Sequence, residues 1–140
     1  MNVDDDQTRF AHEAMPFTAV LGIEILSAGT DTVRARVAWD PSRCTAAGVL
    51  HGGVLMGLAD ACGGFAAFLN LPEGASGTTT LESKTNLFKA VRSGYVTAEA
   101  RLLHQGRSTI VVDTELRDSD GTLVARTTQT QMVLWPQQPT

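Results

Sequence analysis

No run of lysine or arginine occurs anywhere in this chain, and its balance is acidic: 11 Lys and Arg against 15 Asp and Glu, a net charge of −4. Without a basic stripe, a nucleic-acid partner is not expected. Cysteine is nearly absent. Cys44 and Cys62 stand alone, and a reducing compartment leaves them as thiols. Neither they nor His12, His51 and His104 show a ligand spacing such as C-x-x-C or H-x-x-x-H, so no metal is expected. "GASG" lacks the G-x-S-x-G elbow of serine hydrolases. "DSDG" lacks the later ligands of a calcium loop and reads as a hairpin turn. The longest apolar stretch is broken by His51, Asp60 and several glycines, which argues against a membrane span. The opening "MNVDDDQTRF" is acidic, the reverse of a secretory leader, so a cytoplasmic location is expected. With no internal repeat and no linker, residues 1–140 read as a single domain, long enough to bury a core.

What is present centres on Val49 to Leu71, "VLHGGVLMGLADACGGFAAFLNL", where only His51, Asp60 and Asn70 are polar. Its apolar residues are spread around the helical wheel, which predicts a buried helix. Each of its glycines weakens helix propensity by about 1 kcal/mol relative to Ala. Close approach of the surrounding backbone is the compensation expected, so the helix should be enclosed by a sheet. Asp60 is the anomaly. An ionised carboxylate there either lies on a half-exposed helix face or serves a functional site. At the other end, the glycines after His51 mark a strand-to-helix transition, whose free N–H groups can receive an anion or a polarised carbonyl oxygen. Gly52 and Asp60 are eight residues apart, about 12 Å of helical rise. That is too far to reach one carbonyl carbon. Two antiparallel copies of the helix across a twofold axis would bring the N-terminus of one beside the Asp of the other. A composite site at a homodimer interface is therefore expected.

The rest of the chain supplies strands. Residues 1–15 read as a polar segment in which one of Asp4 to Asp6 caps a short helix that Pro16 ends. Leu21 to Ser27 and Thr32 to Trp39 form a predicted hairpin, and Leu71-Pro72-Glu73-Gly74 closes the central helix. Thr78 to Val91, Tyr95 to Gln105, Ser108 to Asp118 and Thr122 to Trp135 alternate with period two. Ser93-Gly94, Gly106 and Asp120-Gly121 are the turns expected between them, and 136–140 is a frayed tail. The predicted fold is α+β: a hairpin, one long helix, and an antiparallel meander of about four strands curved over it.

"HGGVLMGLADACGG", followed by "TTTLESKTNLFKAVRSG", "LLHQGRST" and "ELRDSDGTLVARTTQTQMVL", resembles the hotdog-fold acyl-CoA thioesterases of the PaaI and 4-hydroxybenzoyl-CoA thioesterase group, from about Leu21 to Trp135. The resemblance implies a helix wrapped by an antiparallel sheet, a dimer or dimer of dimers, and hydrolysis of a thioester with no cofactor beyond the coenzyme A of the substrate. It places the catalytic carboxylate on Asp60, the carbonyl-polarising amide on Gly52 of the facing subunit, and the motif histidine on His51. Gly53, Thr45 and Thr80 are its auxiliary positions. Thr45 stands where relatives carry Gln or Asn, and Gly64 where a Ser or Thr assists those with a catalytic Glu. Thr80 matches a hydroxyl used by members with Asp.

Other constellations have simpler readings. Cys62 is a nucleophile or, more simply, a small buried helix residue. Lys84, Lys89, Arg92 and Arg107 either meet the phosphates of coenzyme A or merely solvate the surface. Trp39 and Trp135 read as core or interface, and Leu55, Leu58, Phe65 and Phe68 as candidates for an acyl pocket. The function expected is hydrolysis of an aryl-, arylacetyl- or medium-chain acyl-CoA. The alternatives are a hotdog hydratase or dehydratase on acyl thioesters, and a non-catalytic acyl-CoA-binding module.

Overall fold

The structure, a computed structural model, describes residues 1–137 and 139. Helix α1 (Asp5–Ala14) starts where the Asp4 carboxylate accepts from the Gln7 N–H at 3.0 Å, and Asp5 and Asp6 sit in its first turn. Both features favour a helix N-terminus. Pro16 does more than end this helix. It is the first residue of a second one, α2 (Pro16–Leu21), which the sequence reading missed. A proline at that position has no N–H to lose, and its fixed φ suits the first turn. Gly22, with φ +68°, stops α2, and the Arg43 guanidinium lies where its Cβ would be.

Strands β1 (Ile23–Ala28) and β2 (Val33–Ala38) form the expected hairpin, with Val33, Ala35 and Val37 buried. Helix α3 (Gly52–Leu69) is the central helix. Strands β3 (Gly77–Leu87), β4 (Tyr95–Gln105), β5 (Thr109–Asp118) and β6 (Leu123–Leu134) follow. All pair antiparallel in one six-stranded sheet of order β1-β2-β4-β5-β6-β3. This is the hotdog architecture, but it corrects the four-strand meander. Only β4 to β6 form one; β3 crosses to the far edge and pairs with β6, so Ser93-Gly94 joins strands that are not neighbours. The strand expected to reach Val91 ends at Leu87. Alternation identifies strands, whereas their partners depend on contacts between residues far apart in sequence.

Helix α3 lies on the inner face of the sheet, with Leu58, Ala59 and Ala67 fully buried. By length and mean hydropathy (18 residues, 1.5) it could cross a membrane, yet here it packs on strands. At Gly63 the sheet comes so close that a Cβ would sit 2.4 Å from Gln129 Oε1, the close approach inferred for these glycines. Enclosure is incomplete, however. Met56, Asp60 and Phe68 form an exposed stripe, because the sheet wraps one side of the helix only.

The two edges of the sheet differ. Along β1, the carbonyl of Ile25 accepts from the Asp4 N–H at 2.8 Å, and its N–H donates to Thr8 Oγ1 at 2.9 Å. His12 Nε2 lies 2.7 Å from the Ile23 carbonyl and donates to it. Helix α1 thus occupies that edge. The opposite edge is β3, with Leu81 and Leu87 more than half exposed.

Candidate active site

The segment before α3 is anchored at several points. The His51 N–H donates to the Arg43 carbonyl at 2.9 Å and the Leu50 N–H to the Val91 carbonyl at 2.8 Å. His51 then caps the helix: its Nδ1 accepts from the Gly53 N–H at 2.8 Å. A neutral ring that accepts at Nδ1 carries its proton on Nε2. A Cβ on Gly53 would lie 2.9 Å from that nitrogen, so the fold-back of the ring needs glycine there. The Gly53 amide is therefore occupied. The Gly52 amide, first in the helix, has no acceptor among the described residues and is the donor left over.

Gly52 opens into a cleft of about 280 Å³ lined also by Thr45, Leu55, Leu87, Phe88 and Lys89. Asp60 opens into a different cleft, of about 480 Å³, with Phe10, Met15, Phe65, Phe68 and Thr80 on its walls. Asp60 is exposed, and its Oδ1 accepts from Thr80 Oγ1 at 3.2 Å. Thr80 accepts in turn from Gln131 Nε2 at 2.7 Å. Among the described residues Oδ2 has no hydrogen-bond partner. A carboxylate oxygen facing a partly apolar cleft can attack a carbonyl carbon or take a proton from water.

The structure sorts the remaining candidates. Thr45 lines the Gly52 cleft. Of the four residues expected to line an acyl pocket, Phe65 and Phe68 border the Asp60 cleft, Leu55 borders the Gly52 cleft, and Leu58 is pure core. Cys62 donates to the Val33 carbonyl at 3.2 Å, and burial pushes its thiol up to about 12. A group so protonated is a packing residue, not a nucleophile. Lys89 lines the Gly52 cleft and is paired with Asp118 at 2.7 Å. Lys84 reaches Asn86, Arg92 reaches the Ala47 carbonyl, and Arg107 stacks on the Trp135 ring at 4.3 Å. Trp39 and Trp135 both pack against the core from its rim. No group of three His, Cys, Asp or Glu side chains suited to a metal occurs among the described residues. Gln131 and Phe10 went unnoticed in the sequence, since each comes to the cleft from a distant part of the chain.

Residues 47–125 match the family model described as the thioesterase superfamily. A Haemophilus influenzae protein named only as an esterase, without a substrate, is 38% identical over 103 residues, 74% of this chain and 74% of its own length. A solved thioesterase from Haemophilus influenzae superposes with a TM-score of 0.85 at 30% identity, covering 96% of this chain and 92% of that one. A mutant thioesterase from Pseudomonas aeruginosa gives 0.85 at 29%, covering 96% of each chain.

Proposed function

The chain belongs to the thioesterase superfamily, and from that membership we propose that it hydrolyses the thioester of an acyl-coenzyme A at composite sites in a homodimer. One observation supports this above all: the free Gly52 amide and the Asp60 carboxylate sit on one helix but open into separate clefts. Neither cleft alone holds both an oxyanion donor and an attacking group. A twofold partner would complete both. The uncovered edge of β3, beside the exposed stripe of α3, is the surface suited to such a partner.

In this reading the thioester carbonyl oxygen accepts from Gly52 N–H of one subunit, and Asp60 of the other works at the carbonyl carbon. As general base, Asp60 takes a proton from water while the water oxygen bonds to carbon. The tetrahedral oxyanion rests on the helix N-terminal amide, and its collapse breaks the C–S bond. Coenzyme A leaves as thiolate and takes up a proton. As nucleophile, an Asp60 oxygen forms a mixed anhydride with loss of the thiolate, and water then cleaves the anhydride. Phe10, Met15, Phe65 and Phe68 beside Asp60 favour an apolar acyl group, whether aryl, arylacetyl or medium-chain. Lys89 at the Gly52 cleft is the basic residue best placed for a coenzyme A phosphate.

Thiol release from a panel of acyl-CoAs, aliphatic and aromatic, tests the reading with wild type beside Asp60→Asn. Turnover by wild type that falls about a hundredfold or more in the variant is expected. Absence of turnover across the panel, with both proteins folded, would sink it.

A further inference from the structure

We propose that Gln131 is a positioning residue for the Asp60 carboxylate and acts through Thr80, an inference that rests on Asp60 being the attacking or water-activating group. The inner face of β6 carries Thr127, Gln129 and Gln131, all buried. Opposite them on β3 stand Thr85, Ser83 and Thr80. Strict alternation from Thr85 and Ser83 would bring Leu81 opposite Gln131. A register shift between Thr80 and Glu82 prevents this: Leu81 is left without a partner on β6, and the parity of the strand changes. Bulges re-aim side chains in this way. Thr80 therefore meets both the amide of Gln131 and the carboxylate of Asp60.

The direction of these bonds follows from the groups themselves. A hydroxyl has one proton to give, an ionised carboxylate only accepts, and an amide nitrogen only donates. With Gln131 Nε2 donating to Thr80 Oγ1 at 2.7 Å, the threonine proton is directed to Asp60 Oδ1 at 3.2 Å. The opposite amide orientation would draw that proton to Gln131 and leave the carboxylate without its donor. Asp60 is exposed, and no other hydrogen bond to it occurs among the described residues. The chain Gln131 to Thr80 to Asp60 thus holds Oδ1 and leaves Oδ2 for the substrate. Small errors in such placement are costly to rate. Gln129, one alternation along β6, shows the contrast: it is equally buried, yet its side-chain nitrogen and oxygen have no partner among the described residues. Gln131 spends its donor on the site.

Steady-state kinetics on the best acyl-CoA of the panel test this with Gln131→Met, Thr80→Val, Thr80→Ser and the Gln131→Met/Thr80→Val double variant. Gln131→Met is expected to lower kcat about tenfold with little change in KM, the effect of one lost hydrogen bond in the path to a charged group. Thr80→Ser should keep most of the activity, and the double variant should be no slower than Thr80→Val alone, because both act along one path. Gln131→Glu keeps the size of the side chain and, when ionised, draws the threonine proton away from Asp60. It should show a similar kcat loss, so the outcome does not depend on how well the Met variant folds. Wild-type kcat in both Gln131 variants, with Asp60→Asn inactive, overturns the inference alone. Losses that multiply in the double variant overturn it too. If Asp60→Asn keeps wild-type kcat, the catalytic reading of Asp60 fails first, and this inference with it.

Discussion

Gly52 presents an N–H to its cleft, and proline removes that group, although its Cβ would lie 2.8 Å from Leu87 Cδ1, so the flexible end of that side chain must shift. Proline is tolerated at the first position of a helix, and His51 before it, with φ −62° and ψ 133°, already has the extended conformation a proline requires of its predecessor. Gly52→Pro should leave the far-ultraviolet circular dichroism unchanged and lower kcat about a hundredfold, the usual loss for one oxyanion donor. Lys89 beside it is held by Asp118, whose hydrogen bond from Lys89 keeps the carboxyl below its ordinary value. A depressed folded-state value means stability that is complete above the ordinary carboxylate range and is lost as pH falls through and below it. Urea midpoints measured down to about pH 3 should therefore fall less steeply for Asp118→Asn than for wild type. Asp60, Gly52 and His51 stood out in the sequence because each breaks the pattern of an apolar helix. Gln131 did not. It pairs with Thr80 across 51 residues, and one inserted residue in a neighbouring strand decides that the two meet.

Periodicity located the elements better than their neighbours. The strand windows were visible because successive side chains alternate between the core and the outer face. The short helix α2 was hidden because Pro16, a stop signal for one helix, is also a good start for the next. Helix α1 has a role that its sequence does not display: Thr8 and His12 satisfy backbone groups of β1 and close that edge. The glycines of α3 were read as sites of close approach, and Gly63 supports this most directly. Gly63→Ala would gain about 1 kcal/mol in helix propensity. Its Cβ must nevertheless displace the buried Gln129 side chain, and overpacking of that kind costs about 1–3 kcal/mol. A lower urea midpoint with an unchanged m-value is the expected result.

At the scale of the molecule, the proposed composite site makes a prediction that no single chain can fulfil. Asp60→Asn and Gly52→Pro subunits, each about a hundredfold or more slower alone, should restore activity when co-expressed. A mixed dimer joins the intact amide of one subunit to the intact carboxylate of the other. With random pairing, half the dimers carry one working site, so about a quarter of wild-type activity is expected. No recovery in isolated mixed dimers would mean that amide and carboxylate act within one chain. By itself the sequence determined the long central helix, the strands that cover it, the helix start at Gly52 and the lone carboxylate at Asp60, because hydrophobic period and helix-end chemistry are local properties of the chain. Only the tertiary structure decided that β3 crosses to the far edge, that α1 closes the other, and that a bulge delivers Thr80 to Gln131. Strand partners, edges and side-chain parity at a bulge depend on contacts between residues far apart in sequence, and no local pattern encodes them.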